Sequence, residues 1–161
     1  MFDNLLPQSI DNTYRGHKAA LWLFGLVVGV RIVQSLSVIL YGYSTARDAD
    51  GIPVDIYTPE AAQQMVALFA QGSLWRLTLG LLGVVVLVRY RSAVPLLFAL
   101  LLLNYLASQL IFQFIPLTRT GRPPGPYVNF GLFVLTILGL ALSLRSRTIR
   151  TQTSEMTTPP N

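Results

Sequence analysis

The chain has no cysteine, and its 161 residues include a single histidine, His17, and a single lysine, Lys18. The absence of cysteine excludes disulfides, thiolate metal sites and iron–sulfur clusters. One histidine cannot supply both axial ligands of a haem, and it argues against a zinc site. We therefore expect no cofactor and no bound metal.

Charge is scarce as well. Only 12% of the residues are charged, against about 25% in an average soluble domain, whereas 52% are hydrophobic and the mean hydropathy is +0.52. This composition indicates a membrane protein. The net charge of +5 would suggest nucleic-acid binding in a soluble protein. Here the basic residues flank apolar segments, so we expect no nucleic-acid partner.

Four apolar segments are each long enough to cross a bilayer, which needs about 20 residues. The predicted spans are residues 18–43, 61–90, 92–114 and 127–144. The four prolines of segment 115–126 predict that it is not helical. The sequence thus predicts an all-α fold, an integral membrane four-helix bundle.

The whole bundle is predicted to be one transmembrane domain, residues 1–147, followed by a disordered cytoplasmic tail, residues 148–161. The N-terminal flank, the turn between spans two and three and the C-terminal flank hold seven Lys or Arg residues, and the other two loops hold three. The excess of positive charge marks the cytoplasmic side. We therefore predict a multi-pass protein of the bacterial inner membrane with both termini in the cytoplasm.

Three spans carry a strongly polar side chain at one depth. Arg31, Arg76 and Asn104 each lie thirteen residues from a basic residue at the cytoplasmic end of their span, which is about 20 Å along a helix. These three residues, which we call the polar layer, should lie slightly outside the middle of the bilayer. Each buried arginine costs about 2.5–3.5 kcal/mol on insertion scales, so the layer is interpreted either as a purely structural polar cluster that includes the loop carboxylates or as a functional site.

The predicted spans contain no Asp or Glu, so the arginines need another source of hydrogen bonds or negative charge. Asn104, together with Gln34 and Ser35 on the helical face of Arg31, is a candidate partner. Water from the outer side is another. The outer loop is a third, because it can bring one of its carboxylates inward; these are Asp48, Asp50 and Asp55. An anionic ligand, lipid head group or partner subunit is the fourth.

Glycines occur near both arginines. Those around Arg76 either leave space for a partner or let another helix approach closely. Gly25 and Gly29 are predicted on the opposite face of the first span from Arg31, where they suit contact with another helix or subunit. In the second outer loop, Arg119 and Arg122 either form salt bridges with the acidic loop or recognise phosphate or carboxylate groups.

Three stretches carry a resemblance to known proteins. ADGIPVDIY (49–57), LLGVVVLVRYRSAVPLLFALLLL (81–103) and RTGRPPG (119–125) resemble a group of small bacterial four-helix membrane proteins with no assigned activity. The layout is also similar to DoxX-like proteins, which implies the same fold and a redox-accessory role. Those proteins commonly have an acidic residue in helix 2 where this chain has Arg76.

No sequence motif of an enzyme is present, and no residue is predicted to be catalytic. The leading functional prediction is a non-enzymatic membrane protein that binds an anionic group through Arg31, Arg76, Asn104, Gln34 and Ser35. The predicted partners are a membrane lipid, an anionic small molecule, or a membrane protein or second copy of the chain. An accessory subunit of a larger membrane complex is the second interpretation, and a membrane enzyme acting on phosphorylated lipid is the third.

Overall fold

A computed structural model describes residues 11, 12, 14 and 16–145, and this part of the chain contains four long helices. They are α1 (Lys18–Leu40), α2 (Pro59–Arg89), α3 (Val94–Phe114) and α4 (Pro124–Leu144). All four are long and apolar enough to cross a membrane. The predicted all-α four-helix bundle is confirmed, and the chain is a multi-pass membrane protein. The predicted disordered tail, residues 148–161, lies outside the described residues.

Two of the helix starts have side-chain caps. The Thr58 hydroxyl accepts a hydrogen bond from the Ala61 amide at 3.3 Å, directly before Pro59. At α1, Nδ1 of His17 accepts one from the Ala19 amide at 3.2 Å. Each cap satisfies an amide that has no partner within its helix. The single histidine therefore has a structural role at the start of α1.

Two predicted boundaries are wrong. Helix α4 begins at Pro124, three residues before the predicted start at Tyr127. Prolines are tolerated in a first turn, because the amides there have no intrahelical partner to lose. Helix α1 ends at Leu40, and a short helical segment, Gly42–Ser44, follows a break at Tyr41.

The helices do not pack equally. Helix α1 lies against α2 and α4, and α3 lies against α4, whereas α2 and α3 have few contacts. Glycines allow the close approach of α1 and α2: a Cβ atom at Gly80 would lie 2.8 Å from Cγ1 of Ile32, and one at Gly83 would lie 2.8 Å from Cγ2 of Val28. Of the two roles expected for the glycines around Arg76, these two therefore have that of letting another helix approach closely.

The chain flanks and the α2–α3 turn meet at one end of the bundle, which we call the terminus end. The His17 amide donates to the Leu142 carbonyl at 3.2 Å, and the Ser92 amide donates to the Asp11 carbonyl at 3.3 Å. The two longer loops lie at the other end, the loop end.

The main hydrophobic core lies in the half next to the terminus end. Phe24 and Phe98 are fully buried there, with ring centroids 5.0 Å apart in an edge-to-face arrangement. Gly139 of α4 packs directly on the Phe98 ring. A smaller cluster at the loop end joins the loop to the first turns of α2, which explains the extra length of that helix; it contains Ala46, Ile52, Val54, Met65 and Phe69.

Candidate binding site

Arg31 lies half-buried in α1 and has one side-chain partner. Its Nη1 donates a hydrogen bond to Oδ1 of Asn129 in α4 at 3.2 Å. Ser35, one turn further along, is buried, and its hydroxyl donates to the Arg31 carbonyl oxygen at 2.8 Å. Ser35 therefore bonds to the backbone of Arg31 and not to its guanidinium. An arginine has five N–H donors, so most of the donors of Arg31 have no partner among the described residues.

Arg76 has no hydrogen bond or ion pair with any residue in the described part of the chain. Its positive charge acts on the Arg31 guanidinium and on the Asp50 carboxylate. An arginine in a spanning helix is normally paired with an opposite charge or with backbone carbonyls. Arg76 is thus a cation in a membrane segment with its hydrogen-bonding capacity unused.

The polar layer lines a small cavity between α1, α2 and α3. Its volume is about 210 Å³, and Arg31, Arg76 and Asn104 all contribute to its wall. Gly72 and Ser108 lie beside them, and a Cβ atom at Gly72 would meet open space. The three residues that share one depth in the sequence therefore also share one cavity.

A larger cavity of about 610 Å³ lies on the other side of the same arginines. It runs between α1 and the first turns of α4, and the loop that carries Asp50 lies at one end of it. Arg31 and Arg76 contribute to this wall too, together with Gln34 and Asn129. Gln34, which was predicted to bond to an arginine, faces the cavity with no hydrogen bond to another described side chain.

The three carboxylates of the acidic loop have different environments. Asp48 forms a surface ion pair with Arg47, Nε to Oδ1 at 2.8 Å, and this hydrogen bond lowers the pKa of Asp48. Asp55 accepts a hydrogen bond from the Tyr43 hydroxyl at 2.8 Å, which raises the pKa of Tyr43. Neither aspartate reaches the polar layer. Asp50 is the one acidic side chain of this loop that lines the larger cavity.

Burial raises the pKa of Asp50, and the positive charges of Arg76 and Arg119 partly oppose this increase. The carboxylate lies over the start of α4, where a Cβ atom at Gly125 would be 2.6 Å from its Oδ1. Glycine at position 125 therefore leaves the space that Asp50 occupies. Asp50 is within electrostatic range of Arg76 without forming an ion pair with it.

The two loops at the loop end are joined through the backbone. The Thr120 amide and hydroxyl both donate to the Gly51 carbonyl, at 2.7 and 3.2 Å. Within the described residues, Arg119 and Arg122 form no ion pair with the acidic loop. Arg119 lies over the Phe112 ring, 5.8 Å from its centroid. The two arginines thus form no direct salt bridge with that loop, although the positive charge of Arg119 acts on Asp50.

Two placements differ from the sequence interpretation. Asn129, which bonds to Arg31, was not predicted as a site residue. With α4 starting at Pro124, it lies five residues, about 7.5 Å, from the start of the helix. Gly25 and Gly29, predicted to face away from Arg31, line the larger cavity with it.

No protein-family model, no curated protein and no solved structure matches the chain. Within residues 16–145 no group of three His, Asp or Glu side chains is placed to hold a metal ion. The site instead presents two guanidinium groups, three amide side chains and one carboxylate around two cavities that share Arg31 and Arg76 in their walls. Such an arrangement can hold an anion by charge and by directed hydrogen bonds.

Proposed function

We propose that this protein is a non-enzymatic protein of the bacterial inner membrane, with both termini in the cytoplasm, that binds an anionic group at its polar layer. The observation that carries the proposal is the unpaired guanidinium of Arg76 in a spanning helix. An uncompensated charge in a membrane segment is costly, and the cost is offset when an anion occupies the adjacent cavity. Arg31 supplies a second charge, and Asn104, Gln34 and Asn129 supply directional hydrogen bonds.

The orientation in the membrane gives this site a direction. With the termini in the cytoplasm, the loop end faces outward, and the polar layer is reached from the outer half of the bilayer. Arg119 and Arg122 lie on exposed loop segments at that end and provide the first positive charges that an approaching anion meets.

The test compares two arginines of one helix. Arg76→Ala removes the cavity cation, and Arg89→Ala removes an equal charge at the terminus end of α2, outside both cavities. Thermal unfolding in detergent is measured with and without phosphatidylglycerol and, separately, a soluble phosphodiester. A ligand at about 100 times its dissociation constant adds about 2.7 kcal/mol to the unfolding free energy. We expect this gain in the wild type and in Arg89→Ala, and none in Arg76→Ala.

Stability without ligand separates binding from a structural role. Because Arg76 has no partner among the described residues, its removal should leave the unliganded protein equally stable or more stable. If Arg76→Ala unfolds the protein before any ligand is added, the arginine is structural and the proposal is wrong. If Arg89→Ala loses the stabilisation by ligand to the same extent, the effect depends on the total positive charge of the protein and not on a site at Arg76.

A further inference from the structure

The larger cavity is a groove that is open along its side. One wall is α1 from Gly25 to Val38, a length of about 20 Å along the helix, and the other is formed by the first turns of α4. Leu26 and Val33, which line it, are 52% and 63% exposed. In a membrane that exposure is to lipid, so the groove opens laterally into the bilayer.

The chemistry of the groove changes along its length. Its part toward the terminus end is apolar, with Gly25, Leu26 and Gly29. Its part toward the loop end is polar; there lie Arg31, Gln34, Asp50, Arg76 and Asn129. A Cβ atom at Gly29 would meet nothing within 4 Å, so the apolar part is open space there, whereas a Cβ atom at Gly25 would lie 3.3 Å from Cδ2 of Leu87 in α2.

These two parts match the two parts of a membrane lipid. From Gly25 to the level of Arg31 the apolar part is about 9 Å long, and one leaflet of the hydrocarbon core is about 15 Å thick, so the apolar part can cover the section of an acyl chain next to the head group. A volume of about 610 Å³ is within the usual range for a site that holds a whole organic ligand, about 300–1,000 Å³. A small inorganic anion would need only the polar part.

The charge at the polar end selects the type of lipid. Two guanidinium groups and one carboxylate face the groove, which leaves a net charge of +1. A phosphodiester head group without an amine carries one negative charge and neutralises it, whereas a zwitterionic lipid does not. A second copy of the chain is a poorer occupant, because beyond Glu60 in the first turn of α2 the four helices contain no Asp or Glu to pair with the arginines.

We propose that the groove between α1 and α4 binds an anionic phospholipid of the phosphatidylglycerol type, with its phosphate against Arg31 and Arg76 and an acyl chain along Gly25 and Gly29. This inference rests on the proposed function and makes it specific. The lipid enters from the side, with its head group toward the loop end, and needs no passage through the bundle.

The test fills the apolar part alone. Gly29→Leu places a side chain in the open groove, and Gly131→Leu adds the same side chain at an exposed position of α4 that lines neither cavity and also has nothing within 4 Å. Binding of long-chain phosphatidylglycerol, phosphatidylcholine and soluble glycerophosphoglycerol is measured by native mass spectrometry. We expect Gly29→Leu to weaken phosphatidylglycerol binding by about tenfold or more and to leave glycerophosphoglycerol binding unchanged. Gly131→Leu and the wild type should prefer phosphatidylglycerol to phosphatidylcholine equally.

The outcomes distinguish this inference from the proposed function. If Gly29→Leu and Gly131→Leu bind phosphatidylglycerol equally well, or if Gly29→Leu weakens the lipid and the soluble phosphodiester alike, no acyl chain lies in the groove and this inference fails alone. If the wild type binds neither compound, the proposed function fails with it.

A second measurement needs no variant. Phosphatidylglycerol with a photoreactive group in its acyl chain is cross-linked to the wild-type protein, and the labelled peptides are identified. We expect labels concentrated on the α1 segment that contains Leu26 and Val33. Labels spread evenly over the lipid-facing residues of all four helices would overturn the inference, even if Gly29→Leu does not fold.

Discussion

The two halves of this bundle differ in packing. Next to the terminus end, α1, α2, α3 and α4 share one core around Phe24 and Phe98. Toward the loop end, polar side chains face cavities in place of a continuous core. Stability is thus concentrated in one half, and the proposed binding site lies in the other. A site with unused hydrogen-bonding groups commonly lowers the stability of a protein. Another part of the fold must then provide the stability that the site does not.

The largest effect that distinguishes the halves should come from Phe98→Ala. Phe98 is completely buried and contacts Phe24 and Gly139. In a membrane environment little of the transfer free energy from water is lost, so the cavity term dominates, and we expect about 2–3 kcal/mol lower stability. Leu103→Ala in the same helix, where the side chain is 62% exposed, should change stability little. Similar melting temperatures for the two variants in detergent would contradict the assignment of the core.

A smaller effect should come from the contact between the loops. Gly51 and Gly121 both have positive φ angles, 69° and 71°, and a Cβ atom at Gly51 would also lie 2.8 Å from the Thr120 carbonyl oxygen, whereas one at Gly121 meets open space. Both Gly51→Ala and Gly121→Ala should therefore introduce a backbone strain of about 1–2 kcal/mol. Gly51→Ala should add a steric clash that Gly121→Ala does not have.

Hydrogen exchange of the Thr120 amide checks this prediction, because that amide donates to the Gly51 carbonyl. Its exchange should accelerate in Gly51→Ala much more than in Gly121→Ala, while amides in the core half keep their protection. Equal acceleration in the two variants would mean that only backbone strain matters and that the loops do not support each other.

The smallest effect concerns pH. The pKa of Asp50 is raised in the folded protein, so protonation of Asp50 favours the fold. Ionised Asp50 therefore lowers the free energy of unfolding. This loss is absent below the pKa of an aspartate in the unfolded chain, about 3.9, and grows as the pH rises through the pKa of Asp50 in the folded protein. The charges that face Asp50 are Arg76 of α2 and Arg119 of the neighbouring loop, with Arg31 across the same cavity.

Asp50→Asn should therefore remove a loss of stability that the wild type shows as the pH is raised from about 4 toward neutral. It should also strengthen phosphodiester binding at neutral pH, because the cavity then carries two positive charges and no carboxylate. Parallel pH profiles for the wild type and Asp50→Asn, recorded by thermal unfolding, would show that Asp50 is effectively solvated.

Much of the architecture was predictable from periodicity and composition. Apolar segments of about 20 residues leave the backbone only one way to satisfy its hydrogen bonds in lipid, which is helix. The cap at Thr58 and the early proline at Pro95 act locally, so both could be assigned from sequence. The start of α4 could not, because a proline-rich segment is compatible with either a loop or a first helical turn.

Some features of the candidate site could likewise be predicted from the sequence, and others could not. The sequence alone determined four spanning helices and the common depth of Arg31, Arg76 and Asn104, because rise per residue fixes depth along a helix. Only the tertiary structure decided that Asn129 bonds to Arg31, that Asp50 rather than Asp48 or Asp55 turns inward, and that Gly29 borders a groove. These facts depend on how neighbouring helices rotate and separate, and rotation about a helix axis is set by packing between segments far apart in the chain.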